Sequence, residues 1–167
     1  MLIGVLSDTH CLCDGHVAEY LRDCDEIWHA GDIGDEETLK WLQGIGPVVR
    51  AVSGNIDGGL VRRMCPERLV FDCNGAKVML THIGGYPGKY APGIMPALRA
   101  VNPDIFVAGH SHILRVMYDD RLSLLYINPG AAGNQGWQKV RTIIRFHIDR
   151  GRPHDLEVIE LGTRGKR

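Results

Sequence analysis

The chain has 167 residues, a formal net charge of −1, 44% hydrophobic residues and 23% charged residues. That size and balance fit one globular domain with a core of its own, and no internal repeat or low-complexity segment is visible. A charge this close to zero gives no electrostatic case for binding nucleic acid or an acidic membrane.

Residues 2–6 are apolar and stop at Ser7-Asp8-Thr9-His10, which reads as a first strand and its exit. Nothing approaches the length of a membrane span, and Met1-Leu-Ile-Gly-Val-Leu lacks the basic region and cleavage site of a secretion signal. Residues 16–22 carry a short helical pattern through Val17, Ala18 and Leu21. A second strand, 25–30, stops at Gly31-Asp32. Residues 35–43 read as a helix, with acidic residues in the first turn and Gly44 at the end. A third strand, 47–53, stops at Gly54-Asn55-Ile56-Asp57. Strand, helix, strand, helix, strand argues for parallel pairing with right-handed crossovers.

The second half has a different rhythm, read as mostly antiparallel. Strands 67–73 and 76–81 flank Asn74-Gly75, a strong hairpin turn, and the second ends at His82. Residues 83–92, rich in Gly, Pro and Tyr, read as a surface loop, and 95–101 as a short helix. Asn102-Pro103 is a turn before strand 104–108, which stops at Gly109-His110-Ser111-His112. A hairpin follows, 115–118 and 122–127, then the tight loop Asn128–Gly133. Strands 140–148 and 155–161 close the domain at residue 161, and the basic end 162–167 is expected to fray. The five cysteines are odd in number and lack framework spacing, as in a cytoplasmic protein with reduced thiols.

Five apolar runs thus end in metal-type donors: Asp8 and His10, Asp32, Asn55, His82, and His110 with His112. Strand ends are where open α/β sheets place their ligands. Seven oxygen and nitrogen donors exceed the needs of one ion with an open position, so one bridging carboxylate would let them serve two. Asp32 is the natural bridge, because Gly31 permits close backbone approach. Mixed carboxylate and imidazole suits divalent transition metals, with manganese the first expectation and nickel, iron, zinc or cobalt compatible. Two such ions can clamp a phosphoryl group and share a hydroxide.

The motifs Asp8-Thr-His10, Gly31-Asp32, Gly54-Asn55-Ile-Asp57, Thr81-His82 and Gly109-His-Ser-His112 resemble those of the calcineurin-like metallophosphoesterase superfamily. Their order and spacing are similar to its small single-domain bacterial and archaeal phosphodiesterases, and Asn128-Pro-Gly130 resembles a loop of that branch. The resemblance implies an α/β fold of mixed α+β character: a four-layer αββα sandwich, two mixed sheets flanked by helices. It implies one metal held by Asp8, His10, Asp32 and His112, and a second held by Asp32, Asn55, His82 and His110. Asp32, Asn55 and His82 would then carry catalysis through a metal-bridging hydroxide. One position departs from the pattern. Many members have a histidine after the Asn, assigned to leaving-group protonation, where this chain has Ile56. Isoleucine donates no proton, so good leaving groups should react far better than alkoxides.

Of the remaining residues, Asp57 is expected to be a turn carboxylate or one that orients Asn55 or a ligand histidine. His29, inside a strand, is expected to be a buried partner behind the ligands. His16, His147 and His154 have no motif company. Thiols Cys11 and Cys13 follow His10 without needing a ligand role. Trp137 lies beyond the Asn-Pro-Gly loop and is the aromatic to examine for substrate contact. Tyr86 and Tyr90 line a pocket mouth or simply pack their loop. Arg62 and Arg63 attract a phosphate or are merely solvated.

The expected function is a metal-dependent phosphodiesterase acting on a small phosphoester, with pairing into a homodimer as in small relatives. Two readings compete: a phosphomonoesterase or nucleotidase, and a non-catalytic scaffold like the trafficking-coat subunit that keeps this fold with an altered site.

Overall fold

The computed structural model of the protein describes residues 1–165. β1 (Leu2–Leu6), β2 (Glu26–His29) and β3 (Val48–Ala51) are parallel neighbours, linked through α1 (Gly15–Leu21) and α2 (Glu36–Gly44). Asp14 caps α1 by accepting the His16 N–H, and Asp35 caps α2 by accepting the Thr38 N–H. Glu36 and Glu37 add negative charge at the positive end of the α2 dipole. A third helix, α3 (Gly59–Met64), follows β3. The sequence reading has no helix there, since six residues are too few to show a helical period.

The Asn74-Gly75 hairpin forms as expected, joining β4 (Arg68–Cys73) to β5 (Ala76–Thr81). The stretch read as plain loop contains a small ribbon, β6 (Gly85–Tyr86) with β7 (Lys89–Tyr90). α4 (Ile94–Val101) then crosses over to β8 (Ile105–Val107), and β9 (Arg115–Asp119) turns back into β10 (Leu124–Asn128). Two of the four pairings in this second sheet are parallel, β5 with β8 and β8 with β10. The other pairings made by second-half strands among the described residues are antiparallel, so the expectation of a mostly antiparallel half holds. The α4 crossover brings β8 back in the direction of β5, and β10 leaves β9 to the sheet edge.

β11 (Val140–Asp149) and β12 (Arg152–Thr163) form a long hairpin that adds to β1. Two five-stranded mixed sheets result, in the orders β12-β11-β1-β2-β3 and β4-β5-β8-β10-β9. Residues 162–164, expected to fray, are ordered. β12 carries Gly162 and pairs Thr163 with Val140, and the Arg164 N–H donates to the Lys139 carbonyl. Residues 166 and 167 lie outside the described residues.

Strand alternation builds the layers. Ile3, Val5 and Trp28 of the first sheet meet Val78, Leu80, Ile105 and Val107 of the second. On the outer face of the first sheet, Leu6 and Ile27 pack with Val17 and Leu21 of α1 and Leu42 of α2. On the outer face of the second, Met79 and Phe106 pack with Ile94 and Leu98 of α4. The architecture is the αββα sandwich. Trp28 is fully buried at its centre, edge-on to Phe71 and Phe146, and its Nε1–H donates to Glu26, which also holds Arg50 through two hydrogen bonds. Among the described residues, no helix is long and apolar enough to cross a membrane.

Candidate metal centre

The strand ends of both sheets converge on one face. Asp8 and His10 leave β1, Asp32 leaves β2, Asn55 leaves β3, His82 leaves β5, and His110 and His112 leave β8. Five of these seven residues have left-handed backbones: Asp8, His10, Asp32, His110 and His112, with φ of 56°, 48°, 54°, 66° and 57°. Each costs roughly 1 kcal/mol or more and persists only where the surroundings over-determine it. Here loop-to-loop hydrogen bonds do so, from Asp8 N–H to the Gly31 carbonyl, His10 N–H to Asp32 and Gly109 N–H to His82. Gly31 has φ of 92°, and a Cβ there would lie 2.7 Å from the His82 ring. Glycine is required at that point both for the backbone and for the space.

The donor atoms form two groups. Asp8, His10 and His112 make one, and Asp32, His82 and His110 the other, with the donor atoms of each group within 4.8 Å of one another. The Asp32 carboxylate faces both groups, Oδ1 lying 3.3 Å from His82 Nε2 and Oδ2 lying 3.8 Å from His10 Nε2. Asn55 joins the second group through its amide oxygen, 3.0 Å from His82 Nε2. All seven sequence-predicted donors are therefore brought together.

At this centre His10 Nε2 is buried without a hydrogen-bond partner, and the buried Asp8 Oδ1 faces His112 Nε2 at 3.0 Å. Buried polar atoms are seldom left unpaired, and a cation between His10 and Asp8 would engage both. The ring orientations agree. His82 Nδ1–H donates to the Ala30 carbonyl at 2.7 Å and His112 Nδ1–H to the Gln135 carbonyl at 3.0 Å, which turns each Nε2 toward the carboxylates of the centre. The residues present fit two divalent ions.

The imidazoles and carboxylates of the centre shift one another's titration. Burial would lower the His82 pKa, but Asp32 and Asp8 outweigh it and hold it above the usual imidazole value. The hydrogen bond to Asp8 raises His112 against its burial. Burial dominates at His10 and His110 and lowers both. Burial also opposes the Asp32 charge, yet the His82 and Ile56 hydrogen bonds hold that carboxyl below the usual range.

Behind the donors, Asp57 is 3% exposed and ties two ligand loops together. Its Oδ1 accepts the Gly34 N–H at 2.7 Å, and its Oδ2 accepts those of Ile33 at 3.1 Å and Gly54 at 2.8 Å. It positions the backbones that carry Asp32 and Asn55 and is not in either donor group. His29 is fully buried: Nδ1 accepts the Gly31 N–H, and Nε2–H donates to Thr9 Oγ1. Burial lowers its pKa to about 4, so the ring is neutral. Asn128 donates to the Gly109 carbonyl and Ser111 Oγ and accepts the Gly130 N–H, bracing the loop of His110 and His112. Only the Asn-Pro-Gly triplet pointed to it. Gln135 acts through its carbonyl, which leaves no side-chain signal in a sequence.

Other flagged residues have other work. Arg115 stacks on Tyr86 at 4.0 Å, and the Tyr90 hydroxyl donates to Asp119, so both tyrosines pack their loop. Cys11 and Cys13 are exposed and outside both donor groups, and burial with the Asp35 contact pushes the Cys11 thiol up to about 11. Trp137 is 97% exposed and, with His112, lines a cavity of about 430 Å³. His147 and His154 stack on each other across the β11–β12 hairpin.

Two mixed sheets packed face to face, with carboxylates and imidazoles gathered at their strand ends, define a metal-binding α/β sandwich of the phosphoesterase class. Residues 1–151 match the sequence model of the calcineurin-like phosphoesterase superfamily domain. A probable metallophosphoesterase of Methanothermobacter thermautotrophicus is 30% identical over 98% of this chain and 94% of its own length. One of Methanocaldococcus jannaschii is 31% identical over 78% of this chain and 68% of its own. The chain belongs to the calcineurin-like phosphoesterase superfamily, whose members act on phosphoester bonds with divalent metals. Among solved structures, an archaeal phosphodiesterase superposes with a TM-score of 0.75 at 21% identity, covering 96% of this chain and all of the other. A zinc complex of Vps29 from Entamoeba histolytica superposes with a TM-score of 0.73 at 19% identity, covering 96% and 99%.

Proposed function

We propose that the protein is a phosphodiesterase that works with two divalent ions, manganese first among them, on a small phosphoester. One observation carries the reading: Asp32, a member of one donor group, turns Oδ1 toward His82 of its own group and Oδ2 toward His10 of the other. Asp8, His10, Asp32 and His112 would hold one ion, and Asp32, Asn55, His82 and His110 the other. When bound, such a pair neutralises charge on the phosphoryl oxygens and makes a water acidic enough to attack phosphorus at neutral pH.

The chain's own residues set the rest. The Ala30 and Gln135 carbonyls hold the ring protons of His82 and His112 away from the centre. Asn55, exposed at the rim, supplies an oxygen to the site without adding charge, and its amide N–H is free to contact a phosphate oxygen. Ile56 is 48% exposed beside it and supplies no proton, so the leaving group departs unaided. That favours esters of acidic alcohols and phenols, and it weighs against a monoesterase acting on alkyl phosphates.

A scaffold role draws on the likeness to Vps29, which at 19% identity speaks for the fold alone. A scaffold has no need of seven competent donors or of five left-handed residues to aim them.

The test is hydrolysis of bis-p-nitrophenyl phosphate by chelator-stripped protein, with Mn, Ni, Co, Zn and Mg restored one at a time. Metal-restored turnover that Asp32→Asn abolishes while the fold persists supports the reading. Full turnover in Asp32→Asn would sink the shared-carboxylate assignment.

A further inference from the structure

Beside the metal centre lies a cavity of about 580 Å³ whose wall includes Asn55 and His82. Its size is that of a small-molecule site. Two arginines line it, Arg62 from α3 and Arg68 from the first residue of β4. Both come from elements that adjoin ligands: α3 follows the Asn55 loop, and Arg68 pairs in register with Thr81, next to His82. Arg62 Nη2 donates to the Gly54 carbonyl at 3.3 Å, which holds the guanidinium near Asn55. Neither arginine forms an ion pair among the described residues. Glu67 adds one carboxylate to the wall, so positive charge exceeds negative.

A separate observation comes from Ser53, which also lines the cavity. It is 3% exposed, and its Oγ is buried without a hydrogen-bond partner. A buried hydroxyl with nothing to bond is rare in a native protein. An anion in the cavity would accept from it and from the arginines together. Part of the wall is apolar, formed by Ile83, Pro92 and Ile94.

We propose that this cavity is an anion subsite that holds the retained arm of the phosphoester and selects esters whose arm carries a second negatively charged group. The proposal rests on the phosphodiesterase reading, since a diester has an arm left to hold after the leaving group departs. Arg62 supplies the planar pair of donors suited to a phosphate or carboxylate, Arg68 adds charge, and Ser53 adds one hydroxyl donor. The apolar wall takes the carbon body of the arm.

The test uses the full chain with manganese restored and two probes. One is thymidine 5′-(p-nitrophenyl phosphate), and the other is the same ester bearing a 3′-phosphate. The extra phosphate should raise kcat/KM by about tenfold, chiefly through KM, as one charge-assisted contact would. Arg62→Gln should bring the ratio of the two substrates close to one, and Arg68→Gln and Ser53→Ala should each remove part of it. Equal kcat/KM for the two esters in the wild type, or a ratio that survives in both arginine variants, overturns the subsite.

Calorimetric binding of thymidine 3′,5′-bisphosphate against thymidine 5′-phosphate reads the cavity without turnover. A binding advantage that Arg62→Gln abolishes supports the subsite even if neither ester is cleaved, and then the phosphodiesterase reading is what fails. Cleavage of both esters with no difference in rate or affinity removes the subsite and leaves that reading standing.

Discussion

Replacing Asp57 with alanine would strip three backbone N–H groups of their shared acceptor. The Ile33 and Gly54 donors are buried, while the Gly34 donor is partly open to water. An orphaned buried donor costs ~1–3 kcal/mol, and the two here together come to roughly 4 kcal/mol, with water taking over at Gly34. For a domain of this size each kcal/mol lowers Tm by about 2–4 °C, so Asp57→Ala should lose ~8–16 °C in scanning calorimetry of metal-free protein. The damage should reach the metal centre too, because the orphaned donors lie on the loops that carry Asp32 and Asn55. Manganese affinity by titration calorimetry should fall about 10–100-fold, although Asp57 is in neither donor group. Asp57→Asn should fall between, since it keeps one acceptor oxygen and turns an amide N–H toward a donor. A Tm within about 2 °C of the wild type would refute the clamp. A large Tm loss with unchanged manganese affinity would leave Asp57 a stabilising residue with no hold on the site.

Gly54→Ala should be selective for the site, because a Cβ there would overlap the Asp32 carboxylate and its backbone nitrogen. Metal affinity should drop at least about tenfold with the circular dichroism unchanged, and wild-type affinity would show that the loop simply shifts. Ile56→His restores an imidazole where relatives of this resemblance use one to protonate the leaving group. Turnover of phenyl and alkyl esters should rise about 10²-fold or more, with little change for nitrophenyl esters, so the dependence of rate on leaving-group pKa flattens. An unchanged dependence would mean that position 56 does not reach the leaving oxygen. For pH, burial opposes the Asp14 charge, but hydrogen bonds from Arg141 and the His16 N–H hold its carboxyl below the usual range. Its stabilisation is fully present above the ordinary carboxylate pKa of about 4 and is lost as pH falls through the depressed value. Urea midpoints of Asp14→Asn should therefore fall less steeply with acid than those of the wild type. Parallel curves would show that the Arg141 pair adds nothing.

Much of the site was legible in the sequence because its signals are local. An apolar run such as 2–6 or 104–108 marks a strand within a few residues, and the polar donor that ends it marks where the strand leaves the core. Asn74-Gly75 specifies its hairpin through two backbone angles. Asp35 specifies a helix start through one hydrogen bond to the Thr38 N–H. The αββα sandwich and its ligand set followed from such elements in order, read with the family resemblance. Where the local signal was short it failed. α3 has six residues, and the β6–β7 ribbon has two-residue strands.

The sequence by itself determined which residues are able to bind metal and that they stand at strand ends. Only the tertiary structure decided how they meet. Asp8 and His112 are far apart in sequence, and their 3.0 Å approach depends on β1 and β8 lying in sheets packed face to face. The parallel insertion of β10 beside β8 is likewise a matter of sheet order. The His82 and His112 tautomers are set by carbonyls of Ala30 and Gln135, and the N–H groups of Gly54, Ile33 and Gly34, the last two on a different loop, give Asp57 its role. Every residue carries the same backbone carbonyl and nearly every one the same N–H, so no side-chain pattern records which of them will be used. That choice exists only once the two sheets have packed and brought the loops into reach.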